Sequence, residues 1–234
     1  MNRSKKSLGL AMTAVLALSA VSTTASQAAV FTADSYPAVL TGKDVKTVHG
    51  ELIRMTFGNG ARYVECTITT LSATINGPET EVDFTPGFSG CFSNGMTAVP
   101  ATVTVNGCFF RIHAPTTTAG QITVKCGEGA KIEVHIYESH TKHTENKPIC
   151  TYDIPAQGPI TGTTFGTINA SAANEGISIN MAHLGKFNVT STMGPLSVCG
   201  VNATSGHAST TMTMRGEYHV TGKYTGVDTK VMLG

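Results

Sequence analysis

Cys108-Phe109-Phe110-Arg111-Ile112 and Ile122-Thr123-Val124-Lys125-Cys126 decide how this chain folds. Successive side chains of a strand point to opposite faces, so Cys108, Phe110 and Ile112 share one face and Ile122, Val124 and Cys126 share another. A loop centred on Thr117 sets Ile112 opposite Ile122, Phe110 opposite Val124 and Cys108 opposite Cys126, and every inward pair is then apolar or sulfur. A slip of one residue would set inward positions against outward ones, which fixes the parity of the pairing. Downstream, Ile132, Val134 and Ile136 alternate with Lys131, Glu133, His135 and Tyr137. The turn from Gly127 to Lys131 is expected to bring Val134 opposite Val124. A long loop from Glu138 to Pro148 would then bring Cys150, Tyr152 and Ile154 opposite Ile136, Val134 and Ile132, so these segments predict a four-stranded antiparallel meander.

The same period of two recurs at Val103 and Val105, at Ile177, Ile179 and Met181, and at Phe187 and Val189, while helical spacing is sustained nowhere after the first residues. Threonine occurs 36 times, and β-branched side chains favour a pleated surface over a helix. Gly58-Asn59-Gly60, Asn76-Gly77-Pro78, Asn94-Gly95, Asn106-Gly107, Gly127-Glu128-Gly129 and Asn174-Glu175-Gly176 separate the runs as turn markers. Short strands punctuated in this way predict an all-β, antiparallel body, sandwich-like or barrel-like.

The N-terminal segment reads differently. Arg3, Lys5 and Lys6 precede an apolar stretch from Leu8 to Val21, and Ser26-Gln27-Ala28 supplies the small residues that signal peptidase needs. Residues 1–28 are therefore expected to be a signal peptide, cleaved after Ala28. A stretch of 14 residues is shorter than the roughly 20 that span a bilayer as a helix. No long apolar run follows, so no transmembrane segment is expected in the mature chain. Cleavage would leave 13 basic against 15 acidic residues, because the 16 basic residues lose Arg3, Lys5 and Lys6 and the acidic ones lose none. A nearly neutral chain carries no electrostatic footprint for nucleic acid or an anionic membrane.

All six cysteines, Cys66, Cys91, Cys108, Cys126, Cys150 and Cys199, follow residue 28. An even number in an exported chain reads as disulfides, and the lack of a C-x-x-C pair removes zinc-ribbon and thioredoxin-like readings. In the expected meander Cys126 and Cys150 lie four residues apart along the sheet, about 13 Å, which is too far for a bridge. Cys108 with Cys126 is the preferred pair, and the other four cysteines allow three pairings. With five cysteines before residue 151 and one at 199, complete pairing requires a bridge across any boundary drawn between them. Pro155-Ala156-Gln157-Gly158-Pro159 is the most linker-like stretch. The expected organisation is a β-rich lobe at residues 29–155 with five cysteines, and a second β-rich lobe at 156–234 tied to the first.

Candidate sites are few. His135, His140 and His143 crowd a polar loop with Glu133, Glu138 and Glu145, and the spacing of His140 and His143 is one that metal sites use. An exposed loop lacks the surrounding groups that orient ligands, so the preferred reading is a solvated connection and no metal or other cofactor is expected. Gly87-Phe88-Ser89-Gly90-Cys91 resembles a nucleophile turn but lacks the second glycine two residues after the serine, and reads as a tight turn that delivers Cys91 to a bridge. Glu65, Glu79, Glu81, Asp83 and Asp153 could supply the two carboxylates of a glycosidase, since that chemistry needs only an acid and a base or nucleophile across a cleft. Asn169, Asn188 and Asn202 begin N-x-S/T sequons, which threonine abundance alone accounts for. No catalytic residue is assigned.

The segments Phe31-Thr-Ala-Asp-Ser-Tyr-Pro-Ala38, Gly90-Cys91, Asn106-Gly-Cys-Phe-Phe110, Val124-Lys-Cys126 and Cys150-Thr-Tyr-Asp-Ile-Pro-Ala-Gln157 together resemble a family of small exported, cysteine-containing, β-rich bacterial proteins with no assigned activity. The likeness covers most of the chain after residue 28 and implies location and architecture, with no catalytic residue to carry over. The expectation is an exported, disulfide-stabilised, non-enzymatic module of the cell envelope or extracellular space that binds a cell-surface or extracellular ligand or serves a structural role. The alternatives are a secreted hydrolase acting on polysaccharide, and a metal-binding protein using the loop of His135, His140 and His143. An outer-membrane barrel also alternates, but bridges and the missing aromatic girdles count against it.

Overall fold

The computed structural model describes residues 28–44, 52–58, 60, 62–94, 98–137, 148–168, 175–182, 184–191, 199 and 208–234. Among these residues every regular element is a strand. In chain order they are β1 (Phe31–Ala33), β2 (Ala38–Asp44), β3 (Arg54–Phe57), β4 (Arg62–Ile75), β5 (Glu81–Asn94), β6 (Ala98–Thr104), β7 (Phe109–His113), β8 (Ala119–Lys125) and β9 (Lys131–Ile136). They continue with β10 (Cys150–Pro155), β11 (Gln157–Ile168), β12 (Gly176–Asn180), β13 (Phe187–Ser191), β14 (Ala208–Arg215), β15 (Glu217–Tyr224), β16 (Val227–Thr229) and β17 (Val231–Leu233). The protein is all-β and every ladder is antiparallel. No described helix is long and apolar enough to cross a membrane.

Two long strands organise the rest. β4 and β5 pair along most of their length, and each is 14 residues long, so each outer edge has room for two partners. The outer edge of β4 takes β3 at Arg62–Glu65 and β2 at Thr70–Ile75. The outer edge of β5 takes β7 at Glu81–Phe84 and β6 at Phe92–Asn94. From this shared pair the hydrogen bonds close two circuits. Ring one runs β4–β5–β7–β8–β11–β12–β15–β2. Ring two runs β4–β5–β6–β9–β10–β13–β14–β3. Closure satisfies main-chain groups that an open sheet would leave on its outer strands. Each ring takes strands from both sides of Ala156.

The expected registers hold within hairpins and fail between them. Phe110 pairs with Val124 and Ile112 with Ile122, while Cys150, Tyr152 and Ile154 pair with Ile136, Val134 and Ile132. The meander does not form, because β8 pairs with β7 and β11 while β9 pairs with β6 and β10. At Gly127–Gly129 the chain leaves ring one for ring two. Alternation fixes which face a residue presents, but both possible neighbours of β8 and β9 present the same apolar inner face.

A second expectation is corrected at Ser89. The stretch Gly87–Cys91 is no turn but the middle of β5, with Ile68 opposite Ser89 and Cys66 opposite Cys91. Thr67 and Gly90 lie between these pairs at the same offset, and Gly90 has φ of 59°. A side chain there would also meet the Thr67 hydroxyl at 2.1 Å. The buried residues of β4 change parity there, Val64 and Cys66 before Thr67 and Thr69 and Leu71 after it, so opposite faces of the strand are covered on the two sides. One strand can thereby wall both rings.

Inside ring one lie Leu40, Leu71, Phe84, Ile112, Ile122, Ile179 and Val220, and inside ring two Phe57, Val64, Val134, Tyr152, Phe187 and Met212, all at most 2% exposed. Burying one such side chain contributes roughly 1.5–3 kcal/mol, which offsets the ordering of the chain around it. The rings of Phe57 and Tyr152 stack at 4.0 Å, and the Tyr152 hydroxyl donates to the carbonyl of Cys199 at 2.5 Å. Burial holds that phenol's pKa above its ordinary value, with only slight relief from Arg62. All six cysteines are oxidised, joining Cys66 to Cys91, Cys108 to Cys126 and Cys150 to Cys199. The first bridge staples the shared strands, the second the open end of the β7–β8 hairpin, and the third ties β10 to residue 199. Three such bridges belong in an oxidising compartment outside the cytoplasm.

Candidate functional site

A concave described surface lies where β1 and β17 pack onto ring one. These strands pair through Phe31–Leu233, Thr32–Met232 and Ala33–Val231. Phe31 is fully buried, its ring edge-on to Phe165 at 5.9 Å, and it exchanges main-chain bonds with Glu79 at 2.8 and 3.1 Å. Between β17 and the β11–β12 hairpin a cleft of about 550 Å³ remains, lined among others by Thr32, Thr118, Phe165, Thr167, Ile177 and Met232. Gly176 lets β12 approach β15 at its rim, since a Cβ there would lie 2.2 Å from the carbonyl oxygen of Val220.

Among the described residues two charged side chains line the cleft, Glu175 and Lys230, and they form an ion pair with each other. The hydrogen bond to Glu175 holds the Lys230 ammonium above its ordinary pKa, against partial burial and with help from Asp34. Main-chain groups contribute as well. Val30 and Gly234 exchange both of their bonds, at 2.7 and 3.1 Å, so by the alternation of an antiparallel ladder the peptide groups of Val231 and Leu233 face away from β1. The Val231 N–H donates to the Glu175 carbonyl at 2.9 Å. Leu233 has no main-chain partner on that edge among the described residues, and it lines the cleft.

A second groove, of about 410 Å³, is lined by Thr74, Asn76, Glu79, Glu81, Asp83 and Arg111. Asp83 and Arg111 are register partners joined at two points, Nε to Oδ1 at 2.7 Å and Nη2 to Oδ2 at 2.8 Å. The Asp83 hydrogen bond raises the guanidinium pKa further, outweighing a small desolvation effect. Glu81 lies 3.8 Å from Arg111 and 3.9 Å from His113 Nδ1, and Glu79 accepts the main-chain N–H of Asn76 at 3.3 Å. The side chains of Glu81 and Asp83 are 49% and 43% exposed, so water screens these charges.

Of the carboxylates singled out from the sequence, the structure brings Glu79, Glu81 and Asp83 to this groove and places the other two on ring two. Glu65 pairs with Arg54 at 2.7 Å. Asp153 accepts from Lys131 Nζ at 2.7 Å and stands opposite Glu133, which is 3.4 Å from the same ammonium. Asn106 donates to Glu133 at 3.2 Å. Partial burial would raise the Glu133 pKa, but Asn106 and Lys131 together outweigh it and hold this carboxyl below its ordinary range. Lys131 is held above its ordinary value, chiefly by Asp153 and against some desolvation.

His135 sits on β9 between Thr102 and Thr151, its ring 6.5 Å from that of Tyr137. His140 and His143 lie outside the described residues, and among those described no three His, Cys, Asp or Glu side chains gather as a metal site. Asn188 is exposed on β13, its main chain bonded both ways by the Gln157 side chain at 2.6 and 2.9 Å. Asn169 and Asn202 fall outside the described residues, as do residues 1–27. Sequence reasoning missed the cleft entirely, because it depends on β1 meeting β17 across nearly the whole chain. The available signal was weak: two three-residue apolar strands, one near each end. No family model matches the chain, and neither curated proteins nor solved structures yield a match, so the likeness to exported bacterial proteins rests on its quoted motifs alone.

Proposed function

We propose that this protein is exported with its first 28 residues as a removed signal peptide, and works in the cell envelope or extracellular space as a non-enzymatic binding or structural module. The observation that supports this most is the pairing of every cysteine into three bridges. Such a set persists where thiols are not kept reduced, and in a chain with two fused rings it locks strands that are distant in sequence. Each charged side chain of the two concave surfaces also has a partner of opposite charge or a hydrogen bond, which suits recognition surfaces better than an acid and a base held ready for proton transfer.

The test is to express the full-length chain in a bacterial host, recover the exported fraction and measure its intact mass before and after alkylation under denaturing conditions. A mass beginning at Ala29 with no alkylated cysteine is expected. Cytoplasmic retention, or free thiols in exported material, would refute the proposal. A second reading, a secreted hydrolase on polysaccharide, draws on Glu79, Glu81 and Asp83 sharing one groove. It requires that Glu81→Gln abolish release of reducing sugar ends from a polysaccharide that the parent protein cleaves.

A further inference from the structure

We infer that the cleft between β17 and the β11–β12 hairpin binds a short neutral saccharide; the inference rests on the reading of the protein as an exported binding module and names its ligand class. Its size falls within the roughly 300–1,000 Å³ of small-molecule sites. The chemistry of its walls selects among ligands. Among the described residues the charged side chains that line it, Glu175 and Lys230, pair with each other, so an anion or a cation entering would lose hydration and meet a partner already engaged. The engaged pair still offers a neutral hydroxyl both an acceptor oxygen and ammonium protons.

Polar groups suited to hydroxyls line the same space. Thr32 and Thr167 each carry a group that both donates and accepts, and Leu233 presents peptide groups that β1 does not use. Met232, 38% exposed, gives apolar surface for the C–H face of a sugar ring. A purely apolar ligand would leave these hydroxyls and peptide groups buried without partners. An extended peptide is disfavoured because β17 is three residues long and its Val231 N–H is already bonded to Glu175. That leaves too few main-chain groups for strand addition.

The experiment uses the full chain recovered from the exported fraction, applied to an array carrying neutral glycans, anionic glycans and peptides, with its cysteines counted by alkylation in the same preparation. Binding confined to neutral glycans is expected, weakened at least about tenfold by Thr167→Arg, which fills the cleft, and by the double change Glu175→Gln and Lys230→Met. The double variant keeps the test valid if Thr167→Arg does not fold, with near-ultraviolet circular dichroism as the check. Glu128→Gln, on the exposed turn between β8 and β9 and outside both grooves, should leave binding unchanged. Binding of anionic glycans or peptides alone, binding undiminished in both cleft variants, or no binding by exported and fully oxidised protein would overturn the ligand class while leaving the export reading intact. Free thiols in that preparation would overturn the export reading itself.

Discussion

Replacing Cys150 and Cys199 together by alanine should be the most costly single-bridge change in the molecule. The sequence separations of the three bridges are 49 for Cys150–Cys199, 25 for Cys66–Cys91 and 18 for Cys108–Cys126. Loop-closure entropy in the unfolded chain then gives about 4.1, 3.5 and 3.2 kcal/mol in that order. The gap between first and last is under about 1 kcal/mol on entropy alone, so burial decides the ranking. Cys150 and Cys199 are both fully buried beside Tyr152 and Ile149, and losing their sulfurs opens a cavity. Cys91 and Cys126 are only partly buried. For a chain of this length each kcal/mol moves Tm by about 2–4 °C, so the Cys150→Ala, Cys199→Ala variant should melt roughly 8–16 °C below the parent. Differential scanning calorimetry of the three double variants under one buffer condition measures the order. A drop within about 2 °C for Cys150–Cys199, or a smaller drop than for Cys108–Cys126, would refute the reasoning.

Other outcomes follow from single contacts. Gly176→Ala places a methyl group against the Val220 carbonyl and should cost about 1–3 kcal/mol in urea unfolding, whereas Gly127→Ala, with open space around it and no left-handed φ, should lack any steric contribution and cost less. Tyr152→Phe keeps the stack on Phe57 but removes the donor to Cys199, and should lower unfolding free energy by about 1 kcal/mol. Glu133 has a depressed folded pKa, so its contribution is present above the unfolded value near 4.5 and is lost as pH falls through the folded one. Melting temperature should therefore drop below that pH, and Glu133→Gln should flatten the drop. Lys131 has a raised folded pKa; its contribution is complete below 10.5 and is lost at higher pH, a loss that Lys131→Met should remove.

Much of this fold is legible in short stretches of sequence. The pairings of Phe110 with Val124 and of Tyr152 with Val134 follow from period-two patterns and loop lengths, because a hairpin leaves each strand one nearby partner. The pairing of Cys108 with Cys126 follows from the same register. The two rings are not legible. At Gly127–Gly129 the chain changes ring, and nothing in the alternation of Ile132, Val134 and Ile136 distinguishes β6 from β8 as a neighbour. The change of buried face of β4 at Thr67 is equally hidden, since it depends on which distant strands, β3 and β2, join the two ends of β4. As for the candidate surfaces, the sequence supplied Glu79, Glu81 and Asp83 but not Arg111, whose place beside them depends on β5 pairing with β7. The cleft at β17 depends on contacts between residues near 31 and near 232, the longest-range strand pairing among the described residues.

Peptide mapping of the unreduced, exported protein by mass spectrometry tests this description of the molecule most directly. Three linked peptide pairs are expected, carrying Cys66 with Cys91, Cys108 with Cys126 and Cys150 with Cys199, and no peptide with a free thiol. A linkage between any other two cysteines, or a substantial fraction of Cys150 or Cys199 recovered unpaired, would contradict both the shared β4–β5 staple arrangement and the compartment inferred from it.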